Sequence, residues 1–219
     1  MNQHSNRRQF IRNSAIIGST LSAGALMPLN ALSTPEPYND EINIVGPKAG
    51  YSPQIGTLVS MMDWMRSAVL NAVTNLTTEQ LDYLHDEKSN SIGSMLLHLA
   101  ATERYYQIHT FEGKKWGSWD EPIKKQWDIP MQLGEKARDA IKGKDLSYYL
   151  NTLSEVREAS KRELRNRDDK WLMSVDKEWF WGPTNNYCKW FHVVEHESNH
   201  NGQMKWIRSR ITGAPGAGG

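Results

Sequence analysis

His196 and His200 stand four residues apart in the stretch His192-Val-Val-Glu-His-Glu-Ser-Asn-His-Asn-Gly-Gln203. On a helix that spacing stacks the two rings on one face. Two neutral imidazoles so placed grip one first-row metal ion with little rearrangement of the chain. His192 extends the same column by one more turn. The segment His196-Glu-Ser-Asn-His200 also matches the His-Glu-x-x-His pattern of zinc metallopeptidases, in which the glutamate is the general base. Those enzymes take a third ligand from downstream of the motif. Nineteen residues follow His200, and none is His, Asp, Glu or Cys. A peptidase of that type therefore lacks its expected ligand.

A third ligand has to come from upstream. His4 lies in the leader, and His85 and His109 flank a helical stretch that carries His98 among Ser94, Met95, Leu97, Leu99 and Ala101. A histidine on such a face is costly to bury without a partner. If that helix packs beside the last one, His98 can face His196 and His200 across the bundle, and bundles build metal sites from side chains on facing helices. Three neutral histidines leave an open position for water or substrate. Bound zinc lowers the pKa of its water to around 7 or holds a thiol as thiolate, and either makes a nucleophile near neutral pH. Gln203 and Glu195 are candidates for orienting the ligand rings. Glu197 is the candidate catalytic base, although it lies about 100° around the helix from His196; a solvated or ion-paired helix residue is the alternative. Imidazole suits zinc, nickel, copper and iron, and zinc or nickel is the expected ion.

The elements that must position these rings follow from the apolar spacing. Ser52-Pro53 is a cap with proline at the first helical position, and Ile55, Leu58, Met62, Met65, Val69 and Val73 carry the first helix to about Asn75. Thr77 to Gln80 reads as a short capped turn. Ser91 opens a second helix, with Met95, His98, Leu99, Thr102 and Tyr106 on one stripe, ending near Gly113. Residues 114–130, punctuated by Trp116, Trp119, Pro122 and Trp127, read as an ordered connection. Asp145 caps a third helix through Leu146, Leu150, Leu153, Val156 and Leu164. Gly182-Pro183 breaks the chain, and Asn185 or Asn186 caps the last helix, to about Ile211. No sustained alternation of period two and no internal repeat occurs. The expectation is an all-α four-helix bundle. Among nine tryptophans, Trp179, Trp181 and Trp190 crowd the entrance to the last helix; they read as core filling, with pocket walls as the alternative. Cys188 reads as packing in the manner of a small hydrophobe, with a reactive thiol at a helix N-terminus as the alternative.

Composition narrows the function classes. Of 219 residues, 38% are hydrophobic and 23% charged, as in a folded globular chain. The 26 basic and 25 acidic residues include Arg7, Arg8 and Arg12 within the acid-free residues 1–33, so the remainder holds 23 against 25. A body so near neutrality argues against nucleic-acid binding. A single cysteine excludes an intrachain disulfide and every multi-cysteine metal cluster. Residues 1–33 resemble a twin-arginine signal: Arg7-Arg8-Gln-Phe10, a soft apolar run too short to span a membrane, then Ala31-Leu32-Ser33. That resemblance implies a periplasmic or secreted protein exported already folded. Residues 34–50 follow as a linker, 51–213 as the bundle and 214–219 as a flexible tail.

Ile92-Gly-Ser-Met-Leu-Leu-His98-Leu-Ala-Ala-Thr-Glu103-Arg-Tyr-Tyr106, taken with Val194 to Gln203, resembles the DinB/YfiT-like superfamily, and the likeness covers most of 51–213. The resemblance implies a four-helix bundle whose divalent metal is held by His98, His196 and His200, with His192 a neighbour. Asn201 departs from the arginine that relatives often carry there. Relatives include transferases of low-molecular-weight thiols and a thiol-dependent isomerase. The expected function is thus an exported, metal-binding hydrolase or thiol transferase acting on a small molecule. The alternative is a non-catalytic, stress-related or metal-scavenging bundle. A homodimer is open; nucleic acid and stable membrane insertion after signal cleavage are not expected.

Overall fold

The computed structural model describes residues 41–214. The signal expected at 1–33, the start of the linker and residues 215–219 of the tail lie outside the described residues. Among the described residues four long helices carry the fold: α1 (Pro53–Val73), α3 (Ile92–Thr110), α6 (Leu146–Arg165) and α8 (Asn186–Arg208). Short helices α2 (Thr78–Leu81), α4 (Glu121–Gln132), α5 (Gly134–Ala140) and α7 (Asp169–Met173) connect them. A two-residue antiparallel hairpin, β1 (Val175–Asp176) with β2 (Thr184–Asn185), leads into α8.

Helix starts follow local chemistry. Pro53 opens α1, where its missing N–H costs nothing. The side chains of Ser91, Asp145 and Asn185 accept backbone N–H bonds from Ser94, Tyr148 and Cys188 at the entries of α3, α6 and α8. Thr77 and Gln80 form a reciprocal capping box on α2. The long helices pack in a closed ring in which α8 lies between α1 and α3, and α6 touches α3 and α1. This is the all-α bundle that the apolar spacing predicts. Among the described residues no helix is long and apolar enough to cross a membrane.

One expected connection is a helix. Residues 121–132 form α4, which packs on α3. Pro122 sits in its first turn, where proline is tolerated, and the buried Trp127 faces inward. α4 ends at Leu133, which takes a left-handed backbone (φ 54°), and the N–H of Gly134 is tied to Asn90 Oδ1 at 3.0 Å. The linker is also more built than its composition suggests. Gly46 N–H donates to Ser60 Oγ (3.1 Å) and the Lys48 ammonium pairs with Asp63 (3.0 Å), so residues 46–48 lie along α1. Only a glycine fits at 56, because a Cβ there would meet Lys48 N at 2.4 Å.

α3 is the central helix. It is covered by α4, α6 and α8, and nearly every residue from Ile92 to Ile108 is buried, His98 and Glu103 among them. Met95, Leu96, Leu99 and Ala100 join one core cluster; Tyr106 joins a second around Leu58, Met62, Trp179 and Trp190. Each large apolar side chain so buried contributes about 1.5–3 kcal/mol relative to exposure. Trp119, Trp127, Trp179 and Trp190 are buried and fill core, whereas Trp64, Trp181 and Trp206 are exposed.

Candidate metal centre

His98 on α3 and His196 and His200 on α8 converge, with one ligand nitrogen from each ring all within 4.8 Å of one another. Ring centroids are 4.9 Å apart for His98–His196 and His98–His200, and 4.6 Å for His196–His200. The Nε2 atoms of His98 and His196 approach to 2.8 Å. Tetrahedral zinc with bonds of 2.0–2.1 Å wants nitrogens about 3.4 Å apart, inside the range this set spans. Burial decides the protonation. His98 and His200 are each only 7% exposed. Desolvation, reinforced by the neighbouring His200, pushes the His98 pKa down to about 4 against the weaker opposing pull of the Pro130 and Met131 backbone. Desolvation, then the His98, His200 and His192 rings, lowers His196 to about 3. Desolvation also lowers His200, partly offset by Gln203 and Glu195. All three rings are therefore neutral at pH 7, the form that binds metal.

Orientation comes from groups outside the triad. His98 Nδ1 donates to the Pro130 carbonyl at 3.0 Å, and His200 Nδ1 lies 3.1 Å from Gln203 Oε1. Gln203 is itself held, its Nε2 donating to Asn199 Oδ1 at 3.0 Å. Pro130 lies in the last turn of α4, where a carbonyl has no intrahelical donor and is free to accept. A main-chain oxygen leaves no mark in residue type, so nothing in the sequence points to this acceptor. Asp120-Glu-Pro122, an acidic cap ahead of proline, was the available sign of the helix that carries it. Glu195 is exposed and acts on the site only through its charge.

His192 stands beside the triad, its ring 5.2 Å from His196, its Nδ1 2.9 Å from the Tyr106 hydroxyl, and the exposed Trp181 edge-on at 5.0 Å. His109 belongs elsewhere: its Nε2 takes the Lys189 ammonium at 2.8 Å while its Nδ1 donates to the Lys114 carbonyl. His85 packs edge-on against Trp206.

Two expectations need correction. Glu197 is not a free base beside the three histidines. Its side chain is 1% exposed, and Oε1 accepts from Arg66 Nε (3.0 Å), Arg66 Nη2 and Arg157 Nη2 (2.7 Å). The 100° step from His196 turns it to the bundle interior, so the ion-paired alternative describes it. Cys188 does not pack as a small hydrophobe; it is exposed in the first turn of α8.

Among solved structures, the chain is similar to a conserved protein from Enterococcus faecalis, with a TM-score of 0.53 and 14% identity over 71% of this chain and 95% of that one, a likeness of fold alone. No curated protein matches the chain. Residues 57–213, which include all three converging histidines and both helices that carry them, match the mycothiol-S-transferase family, and the chain belongs to that family.

Proposed function

We propose that this protein is a metal-dependent thiol S-transferase that joins the sulfur of a low-molecular-weight thiol to a small electrophilic acceptor. The observation that carries this reading is the convergence of three neutral imidazoles from α3 and α8 in a chain of the mycothiol-S-transferase family. A divalent ion held there, zinc or nickel, would keep a bound thiol as thiolate near neutral pH. His98, His196 and His200 would hold the ion. The Pro130 carbonyl and Gln203 aim two of the rings. Burial keeps the rings unprotonated, so acid does not compete for their lone pairs. The thiol gives up its proton to solvent, and its sulfur bonds to an acceptor carbon in one of three ways: it displaces a halide ion, it breaks the C–O bond of an epoxide whose oxygen then takes a proton from water, or it adds to an activated double bond whose other carbon takes that proton. The family's name points to mycothiol as the thiol.

The paired Arg7-Arg8, Phe10 and the small residues at Ala31 and Ser33 support export by the twin-arginine route and a periplasmic or secreted location. Replacing both arginines with lysine should leave the protein in the cytosolic fraction; unchanged export would remove this part of the reading.

The test of activity is thioether formation, followed by mass spectrometry, with zinc- or nickel-loaded protein and an aryl halide or epoxide. Mycothiol, glutathione and cysteine are compared as donors. Turnover should depend on metal and disappear in His98→Ala. If fully loaded protein forms no thioether above the uncatalysed rate with any donor, the transferase reading fails and a metal-holding bundle without turnover remains. Hydrolysis of an ester or amide panel would mark the hydrolase instead.

A further inference from the structure

Four charged side chains meet in the middle of the bundle, one from each long helix: Arg66 of α1, Glu103 of α3, Arg157 of α6 and Glu197 of α8. All are at least nine-tenths buried. Each guanidinium bridges the two carboxylates. Arg66 Nη2 donates to Glu103 Oε2 (3.0 Å) and also to Glu197 Oε1; Arg157 Nε donates to Glu103 Oε1 (2.9 Å) and its Nη2 to Glu197 Oε1 (2.7 Å). The two guanidinium Nη1 donors bind backbone carbonyls, and a serine hydroxyl adds a bond to Glu103. Arg66 Nη1 reaches the Leu153 carbonyl (2.9 Å), Arg157 Nη1 the Met62 carbonyl (2.6 Å), and Ser160 Oγ donates to Glu103 Oε1 (2.6 Å). Burial alone would raise the Glu103 carboxyl, but Arg157 and Arg66 more than offset this and hold it below its ordinary value. The group is charge-balanced, two cations against two anions.

The two carboxylates stand on the two helices that carry the metal ligands. Glu103 is five residues beyond His98 on α3; Glu197 falls between His196 and His200 on α8. We infer that Glu197, with Glu103 and the two arginines that clamp them, is a positioning residue: the clamp fixes the sliding register of α8 against α3 and so the spacing of His98 from His196 and His200. This rests on the metal-binding reading above. Metal–ligand distances allow about 0.2 Å, whereas packed apolar helices can slide further without losing burial. A planar guanidinium with its donors in a rigid fork cannot follow such a slide while serving both carboxylates. In a buried, low-dielectric setting each lost bond is strongly opposed.

Cobalt(II) binding tests this, because both affinity and visible ligand-field absorption can be read without any turnover. Glu197→Gln removes one charge, and Arg157→Lys keeps the charge balance but lacks the fork, so the second variant retains a folded bundle should the first unfold. Each should bind cobalt about ten- to a hundred-fold more weakly than wild type, the range seen when groups orienting metal ligands are removed, with an altered absorption band. Wild-type affinity and an unchanged band in Arg157→Lys would overturn the inference, even with a lowered melting temperature. So would Glu197→Gln that binds cobalt normally and loses only turnover, the result expected of a catalytic base. Wild-type protein that binds no cobalt would instead sink the metal-binding reading itself.

Discussion

His98 Nδ1 lies 3.0 Å from the carbonyl oxygen of Pro130. A carbonyl can only accept, so this nitrogen carries the proton and, in a neutral ring, Nε2 carries the lone pair. That lone pair faces His196 Nε2 at 2.8 Å. A contact so short needs one donor, and with His98 Nε2 bare the donor is His196. α4 thus does more than cover α3, because the Pro130 carbonyl in its last turn selects the tautomer of His98.

Nitrogen-15 chemical shifts of chelator-stripped protein should therefore report His98 as the Nδ1–H tautomer and His196 as Nε2–H. Addition of zinc should switch His196 to Nδ1–H and leave His98 unchanged. A His98 ring protonated at Nε2 in stripped protein would contradict the role assigned to Pro130.

Acid should unfold the stripped protein through these rings. Their folded pKa values, about 4 for His98 and about 3 for His196, lie below the roughly 6.5 of a histidine in an unfolded chain. Below pH 6.5 the unfolded state takes up protons that the fold refuses. Stability held above that pH is then lost progressively as pH falls, and the loss levels off only near pH 3 to 4. Urea midpoints at pH 7.5, 6 and 5 should drop steadily in wild type and less steeply in His98→Gln/His196→Gln. Equal slopes in the two proteins would show that other groups govern acid unfolding.

Metal should stabilise the fold by mass action. At a hundred times its Kd a ligand specific to the native state adds about 2.7 kcal/mol. For a domain of this size that is roughly 5–10 °C in Tm. Zinc or nickel should produce such a shift in wild type, chelator should reverse it, and His98→Ala should show none. An equal shift in His98→Ala would place the ion somewhere other than on α3.

Breaking the buried clamp should cost far more than breaking a surface pair. Glu103→Gln leaves Arg66 and Arg157 with a single anion, and removal of one partner from a buried ionic group typically costs about 3–5 kcal/mol. Lys124→Gln, which loses only its exposed pairing with Glu121, should change the denaturation midpoint hardly at all. Comparable losses in the two variants would mean that the clamp contributes little to stability.

How far the sequence foretold this site depends on which kind of signal each part leaves. His196 and His200 were readable because the helical period alone aligns them, and His98 because a histidine on an apolar face needs a partner. Pro130 left no comparable trace, since its contribution is a main-chain oxygen. Glu197 differs for another reason: a short motif gives its neighbours along the chain but not its partners across the bundle. The partners did carry a sign. Arg66 falls on the apolar stripe of α1 with Met62, Val69 and Val73, and Arg157 on that of α6 beside Leu153, Val156 and Leu164. Charges on the buried faces of separate helices have to meet one another, because burying them unpaired costs too much.

Gly93 tests how tightly α3 is seated. It lies in the first turn of that helix, five residues before His98, against the buried Tyr149 of α6. A Cβ at 93 would stand 2.6 Å from the Tyr149 hydroxyl oxygen and 2.8 Å from its Cζ, distances that real side chains do not tolerate. Gly93→Ala therefore has to push α3 and α6 apart or force Tyr149 off its rotamer, at a cost of about 1–3 kcal/mol. The hydroxyl itself has no hydrogen-bond partner among the described residues, so Tyr149→Phe alone should be neutral or slightly stabilising. Combined with Gly93→Ala it should recover part of the loss, and only part, because the clash with Cζ persists. Melting temperatures of the two single variants and the double complete the cycle. Additive effects would mean that the two residues do not press on each other, and that something other than this close approach seats the helix bearing His98.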